Sequence, residues 1–105
     1  MARGNKDGLR LPPQSLESEQ ALLGALMIRP EGMVESVDLV SPESFYAEKH
    51  RIIYRAMLTL YAKNEPIDIE SLRARLSDDS ALEQVGGIAY LANLAADVPA
   101  ASNPR

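Results

Sequence analysis

Glu48-Lys49-His50-Arg51-Ile52-Ile53-Tyr54-Arg55-Ala56-Met57-Leu58-Thr59-Leu60-Tyr61-Ala62 is the stretch whose reading decides the fold. Ile53, Ala56, Met57, Leu60 and Tyr61 recur at i, i+3, i+4, i+7 and i+8, the spacing that lines up side chains on one face of an α-helix. Lys49, Arg51 and Arg55 take polar or boundary positions, and Lys63 follows just beyond. The segment predicts a helix over 48–62 that acts as the central scaffold. Asn64 ends it by accepting a left-handed backbone, and Pro66 prevents continuation. His50, beside Glu48 and Lys49, reads as a surface or helix-boundary residue.

Upstream, Ser15 is placed to cap an orphan backbone N–H, and Glu17 and Glu19 suit the positive end of a helix. Leu22, Leu23, Leu26 and Met27 form its apolar stripe. Pro30 cannot continue that helix and more naturally begins the next one. The sequence predicts a short helix over 31–37 that turns Met33, Val34 and Val37 inward, with Gly32 weakening it by about 1 kcal/mol. Ser41-Pro42-Glu43 is a second start signal, expected to make one turn and deliver Phe45 and Tyr46 to the core.

Downstream, Asp68 caps a further helix, Glu70 favours its dipole, and Ile67 can staple onto Leu72. That helix is expected to reach about Leu76. Ser77-Asp78-Asp79 breaks the pattern and caps a short helix over 80–85, which Gly86-Gly87 stops. Ile88, Leu91, Leu94 and Ala95 mark the last helix, ending before Pro99. No run alternates apolar and polar residues over strand length. The prediction is an all-α fold, a compact orthogonal bundle of about six helices, several of them short. Residues 1–13, with Gly4, Gly8, Pro12 and Pro13, read as a flexible tail. Residues 14–98 form the helical domain, and 99–105 read as the truncated start of a linker or hairpin.

Composition narrows the function. A chain of 105 residues with 46% hydrophobic content can build one domain with a core, and its low aromatic content makes that core mainly aliphatic. The net charge of −4 opposes tight binding to nucleic acid, which draws on phosphate neutralisation. Arg3, Lys6 and Arg10 cluster against Asp7 alone; they suit a solvated end or a weak DNA or partner contact. With no cysteine, disulfides and thiolate metal sites are excluded. No apolar run approaches the roughly 20 residues of a membrane span, and a cytoplasmic location is expected.

The candidate residues do not make up a catalytic pattern. Gly86-Gly87 is followed by Ile88-Ala89, not by the Lys and Ser or Thr of a phosphate-binding loop. A lone His50 cannot assemble a metal site or a catalytic triad. Asp78-Asp79 lacks the ligand spacing of a calcium loop, and Asp68 and Glu70 are accounted for by capping. Phe45, Tyr46, Tyr54, Tyr61 and Tyr90 are too scattered for a base-stacking platform and suit core packing. The sequence therefore assigns no catalytic, cofactor-binding or metal-binding residue, and it does not locate a partner surface. An alternative reading is a small helical DNA-binding domain, for which Ser71-Leu72-Arg73-Ala74-Arg75 offers only Arg73 and Arg75.

Four ordered blocks carry a resemblance. They are Pro13-Gln14-Ser15-Leu16-Glu17 through Leu26-Met27; Phe45-Tyr46 with His50-Arg51-Ile52-Ile53-Tyr54-Arg55-Ala56-Met57; Pro66-Ile67-Asp68 with Leu72; and Leu82-Glu83 with Gly86-Gly87 and Tyr90-Leu91. Together they resemble the amino-terminal domain of bacterial replicative DNA helicases, the DnaB family, over nearly all of 13–103. Asn64-Glu65 stands where a glycine is common, and Val98 to Asn103 resembles the approach to a helical hairpin. The resemblance implies a non-catalytic assembly and protein-binding domain of a hexameric ring that unwinds DNA at the replication fork, ATP-dependent and 5'–3'. It implies self-association as a dimer or higher, contact with primase and, in some systems, a helicase loader, and no tight DNA binding or membrane contact by this part. ATP and magnesium would belong to a motor domain beyond these residues, with no cofactor here.

Overall fold

A computed structural model describes residues 15–96. The expected tail, 1–13, and the expected linker start, 99–105, lie outside the described residues. Five α-helices follow one another: α1 (Leu16–Ile28), α2 (Met33–Leu39), α3 (Glu48–Ala62), α4 (Ile69–Asp78) and α5 (Gly87–Ala96). Single 3-10 turns at Pro30–Gly32, Pro42–Ser44 and Glu83–Val85 lie in three of the four connections, the exception being that between α3 and α4. Among the described residues there is no strand, and the all-α prediction holds.

The helix ends follow local chemistry. Ser15 Oγ accepts the Ser18 amide at 3.3 Å, which caps α1, and Asp68 Oδ1 accepts the Ser71 amide at 2.8 Å, which caps α4. Ser41 and Ser44 cap each other around the Pro42 turn. Asn64 takes φ 58° directly after α3, the left-handed conformation that asparagine tolerates better than most residues. Gly86, at φ 101°, lies so close to Tyr90 that a Cβ there would sit 2.9 Å from the Tyr90 Cβ. Glycine is required at that point for both reasons.

The core forms around α3. Ile53, Tyr54, Ala56, Met57 and Leu60 are buried against Leu23, Leu26 and Met27 of α1, Leu72 and Leu76 of α4, and Leu91 and Leu94 of α5. Phe45, Ile67 and Val85 fill the space between elements. At roughly 1.5–3 kcal/mol for each fully buried large aliphatic side chain, this apolar stripe decides which face of α3 turns inward.

Several boundaries and orientations depart from the sequence reading. The expected helix 31–37 divides into the Pro30 turn and an α-helix that runs on to Leu39. Met33 and Ser36 form the inner side of α2, so Val34, about 100° round the helix, points outward and is 59% exposed. Tyr46 is also outside: its amide, not its ring, is used inside, and the ring is 57% exposed. Tyr61 and Ile88 lie at the edges of their stripes and are partly exposed. α4 extends to Asp78, and the expected helix 80–85 shrinks to one 3-10 turn, because Ser80 adopts φ 57° and breaks the helical run.

Candidate functional site

α1, α3 and α5 meet at a chain of polar side chains under the surface. Glu19 is 1% exposed and His50 is fully buried. The sequence reading placed His50 at the surface or a helix boundary: it does lie in the first turn of α3, but the structure corrects the surface reading, since it is buried. His50 begins the same stripe as Ile53, Tyr54, Met57 and Leu60, spaced by three and four residues, so its direction is set by that period. Glu19 likewise leads Leu23, Leu26 and Met27 at i+4, i+7 and i+8. Both signals are present in the sequence. They are hidden when a stripe is traced through apolar residues only.

The geometry ties three helices together. His50 Nδ1 lies 2.7 Å from Glu19 Oε1, and His50 Nε2 lies 2.6 Å from Tyr90 Oη. Gln20 Nε2 donates to the same Tyr90 oxygen at 3.2 Å. The Tyr46 amide donates to Glu19 Oε2 at 2.5 Å and the Ala47 amide to Oε1 at 3.3 Å. One sense of donation satisfies every group: Gln20 to Tyr90, the Tyr90 hydroxyl to His50 Nε2, and His50 Nδ1–H to the Glu19 carboxylate. Ala47 is the residue before α3 and has no capping side chain of its own. Glu19 thus brings a carboxylate from α1 to the positive end of α3.

Burial by itself pushes the Glu19 carboxyl up. The hydrogen bond from His50, those from the Tyr46 and Ala47 amides, and the attraction of His50 together outweigh it, and the group is held below its ordinary value. The Phe45 ring meets His50 edge-on at 6.4 Å, and Lys49 Nζ sits 4.0 Å above the centre of the Tyr90 ring. Tyr90 is half-buried and forms part of a hollow of about 600 Å³ between α1 and α5, bordered by Glu17, Gln20 and Asn93.

A carboxylate, an imidazole and a hydroxyl in line invite comparison with a catalytic triad. The chemistry differs. The terminal hydroxyl is a phenol already engaged by Gln20, and the two amides nearest the carboxylate are consumed by it, so neither is placed to receive an oxyanion. The arrangement works as a strut. It holds α1, α3 and α5 in one relation and places Tyr90 in the lining of the hollow.

The other sequence candidates lie apart from it. Asp78 and Asp79 face Arg75, at 3.9 and 3.1 Å. Glu70 pairs with Arg73 one turn along α4, and this partner lowers the Glu70 carboxyl. Gly86 and Gly87 turn the chain into α5. Phe45 and Tyr54 are core, and Tyr46, Tyr61 and Tyr90 reach solvent to different degrees. Among the described residues, no three His, Asp or Glu side chains converge as a metal site, and no helix is long and apolar enough to cross a membrane.

The fold and the strut define a class: a small all-α domain whose internal polar chemistry is spent on holding its helices. Residues 11–105 match the family described as the DnaB-like helicase N terminal domain, and the chain belongs to that family. It is 43% identical over 94 residues to the replicative DNA helicase DnaC of Bacillus subtilis, an alignment covering 90% of this chain and 21% of that protein. It is 38% identical over 94 residues to the replicative DNA helicase DnaB of Rhodothermus marinus, covering 90% and 10% respectively. The crystal structure of the N-terminal domain of DnaB helicase from Mycobacterium tuberculosis superposes with a TM-score of 0.80 at 34% identity, over 89% of this chain and 65% of that one. The chain therefore spans about a fifth or less of the length of these helicases.

Proposed function

We propose that this chain is the non-catalytic assembly and protein-binding domain of a hexameric replicative DNA helicase, with residues 14–98 as its body. The observation that carries the reading is the family match across 11–105, in a chain that spans only a fifth of the Bacillus relative. The parent would be a cytoplasmic ATP-dependent helicase of 5'–3' polarity, with ATP and magnesium in its motor part. The domain's work is geometric. A body held rigid by the Glu19–His50–Tyr90 strut offers fixed surfaces to neighbouring subunits, and ring symmetry then follows from how those surfaces repeat. Its partners are other copies of itself, primase and a helicase loader.

The physics of the surface supports proteins over DNA. The net charge is −4, and on α4 Arg73 is engaged by Glu70 and Arg75 by Asp78 and the capping residue Asp79. Large apolar side chains such as Leu16, Val34, Leu39 and Tyr46 stand exposed instead. The test is to titrate the chain separately with primase from the same source and with duplex DNA, at ~0.15 M salt, where exposed charges are screened beyond about 8 Å. The reading predicts saturable primase binding, weak DNA binding and no ATP turnover. ATP hydrolysis that survives repurification would contradict it. Tight, steeply salt-dependent DNA binding would favour a DNA-binding domain instead.

A further inference from the structure

A second hollow, of about 540 Å³, lies between the end of α1 and the connection from α3 to α4, apart from the Glu19–His50–Tyr90 strut. Much of its surface is apolar. Met27 and Ile67, both buried, contribute to it together with Pro66 and with Tyr61, whose ring is 37% exposed. Main-chain hydrogen bonds fix both walls. On one side the Gly32 amide donates to the Arg29 carbonyl at 2.9 Å. On the other the Asn64 amide donates to the Tyr61 carbonyl at 3.0 Å, and the Glu65 amide to the Leu60 carbonyl at 2.9 Å. A site held in this way is preformed, so filling it costs little ordering of the chain.

The hollow is also short of positive charge. Glu31, Glu65 and Asp68 line it, and no lysine or arginine does. Asp68 already caps α4. Glu31 and Glu65 have no ion-pair partner among the described residues. Arg29 and Lys63, two positions before them in sequence, stand outside the lining. α1 and α3 both end beside the hollow, and neither has a basic residue in its last turn. Carboxylates near the negative ends of helices are repelled, and a cation relieves both repulsions at once. We propose that the hollow takes one arginine side chain from a partner protein, its guanidinium stacked on Tyr61 and forked between Glu31 and Glu65, its methylenes along Met27, Pro66 and Ile67. Arginine suits the site better than lysine, because a planar fork meets two carboxylates together and stacks on an aromatic ring, while its stem covers apolar surface. The same acids oppose a nucleic-acid occupant. This contact rests on the reading of the chain as a protein-binding domain and defines one anchor point by the residue type it accepts.

The test is an NMR titration of the isotope-labelled chain with three small probes: N-acetyl-arginine amide, its lysine counterpart, and its citrulline counterpart, which keeps the planar shape and lacks the charge. The expected result is saturable shifts of the Glu31, Tyr61 and Glu65 amides with the arginine probe, weaker binding of the lysine probe and none of the citrulline probe. Glu31→Gln plus Glu65→Gln, both at exposed positions, should weaken the arginine probe roughly tenfold, the sum of two surface charge contacts. Tyr61→Leu should weaken it by roughly two- to fivefold through the lost stacking. Shifts centred on another surface, equal binding of the citrulline or lysine probe, or arginine binding of unchanged strength in the double glutamine variant overturns the proposal. Primase and other subunits are absent from this titration, so its failure leaves the primase experiment standing, and the reverse holds.

Discussion

α3 is fastened by polar groups at two points one turn apart, and the two fastenings are built differently. At the first turn, His50 meets a buried carboxylate, Glu19, and a half-buried phenol, Tyr90. At the next, the Tyr54 hydroxyl lies 2.7 Å from Ser36 Oγ, 3.2 Å from the Ser36 carbonyl and 3.1 Å from that of Val40. The first links three helices through an ionisable pair. The second links α2 to α3 through neutral groups, and burial raises the Tyr54 hydroxyl further from ionisation, against a smaller lowering by Ser36. A buried charge is costly to leave without its partner, whereas a neutral hydroxyl loses less. The charged fastening is therefore the more consequential to break and the only one of the two that responds to acid.

Substitutions should rank accordingly. Glu19→Ala leaves three buried donors, His50 Nδ1–H and the Tyr46 and Ala47 amides, without their acceptor; at about 1–3 kcal/mol for each unsatisfied donor, it is expected to cost about 3–5 kcal/mol of unfolding free energy in urea. Leu60→Ala, an apolar yardstick from the same helix at 2% exposure, should cost about 2–5 kcal/mol through the lost packing and the cavity left behind. Tyr54→Phe removes the neutral fastening and should cost about 1–2 kcal/mol. Tyr90→Phe removes only the outer link, beside a hollow where water can replace it, and should cost about 1 kcal/mol or less. Val34→Ala, on the exposed face of α2, should stay within about 0.5 kcal/mol. If Tyr54→Phe proves as damaging as Glu19→Ala, the distinction between the two fastenings fails.

The helix caps and the apolar core were the legible parts of this chain; the neutral fastening was not, because Tyr54 read only as a core residue and its partner Ser36 lies 18 residues away. The α3 period gives its boundaries at Glu48 and Ala62, because four of its five stripe residues are buried hydrophobics. Ser15, Asp68 and Asn64 announce themselves by side-chain chemistry that acts within three residues of its own position. The charged fastening was not legible, because Glu19, His50 and Tyr90 are 31 and 40 residues apart and only tertiary packing brings them together. Glu19 also had a sufficient local explanation as an acid near a helix start, which concealed its inward direction. Val34 and Tyr46 failed for a related reason: in short elements a single residue's shift of register rotates the side chain by about 100°, and too few neighbours exist to settle the phase.

The most direct test of the charged strut is urea unfolding of the wild type and Glu19→Gln, followed from pH 7 to pH 3. The folded Glu19 carboxyl is held below its ordinary value, so its contribution is complete above the unfolded-state pKa of about 4.3 and is lost as pH falls through the lower folded-state value. The account predicts that the wild type's stability advantage over Glu19→Gln is constant near neutrality and shrinks across that acid range. Parallel stability curves for the two proteins down to pH 3 would contradict it.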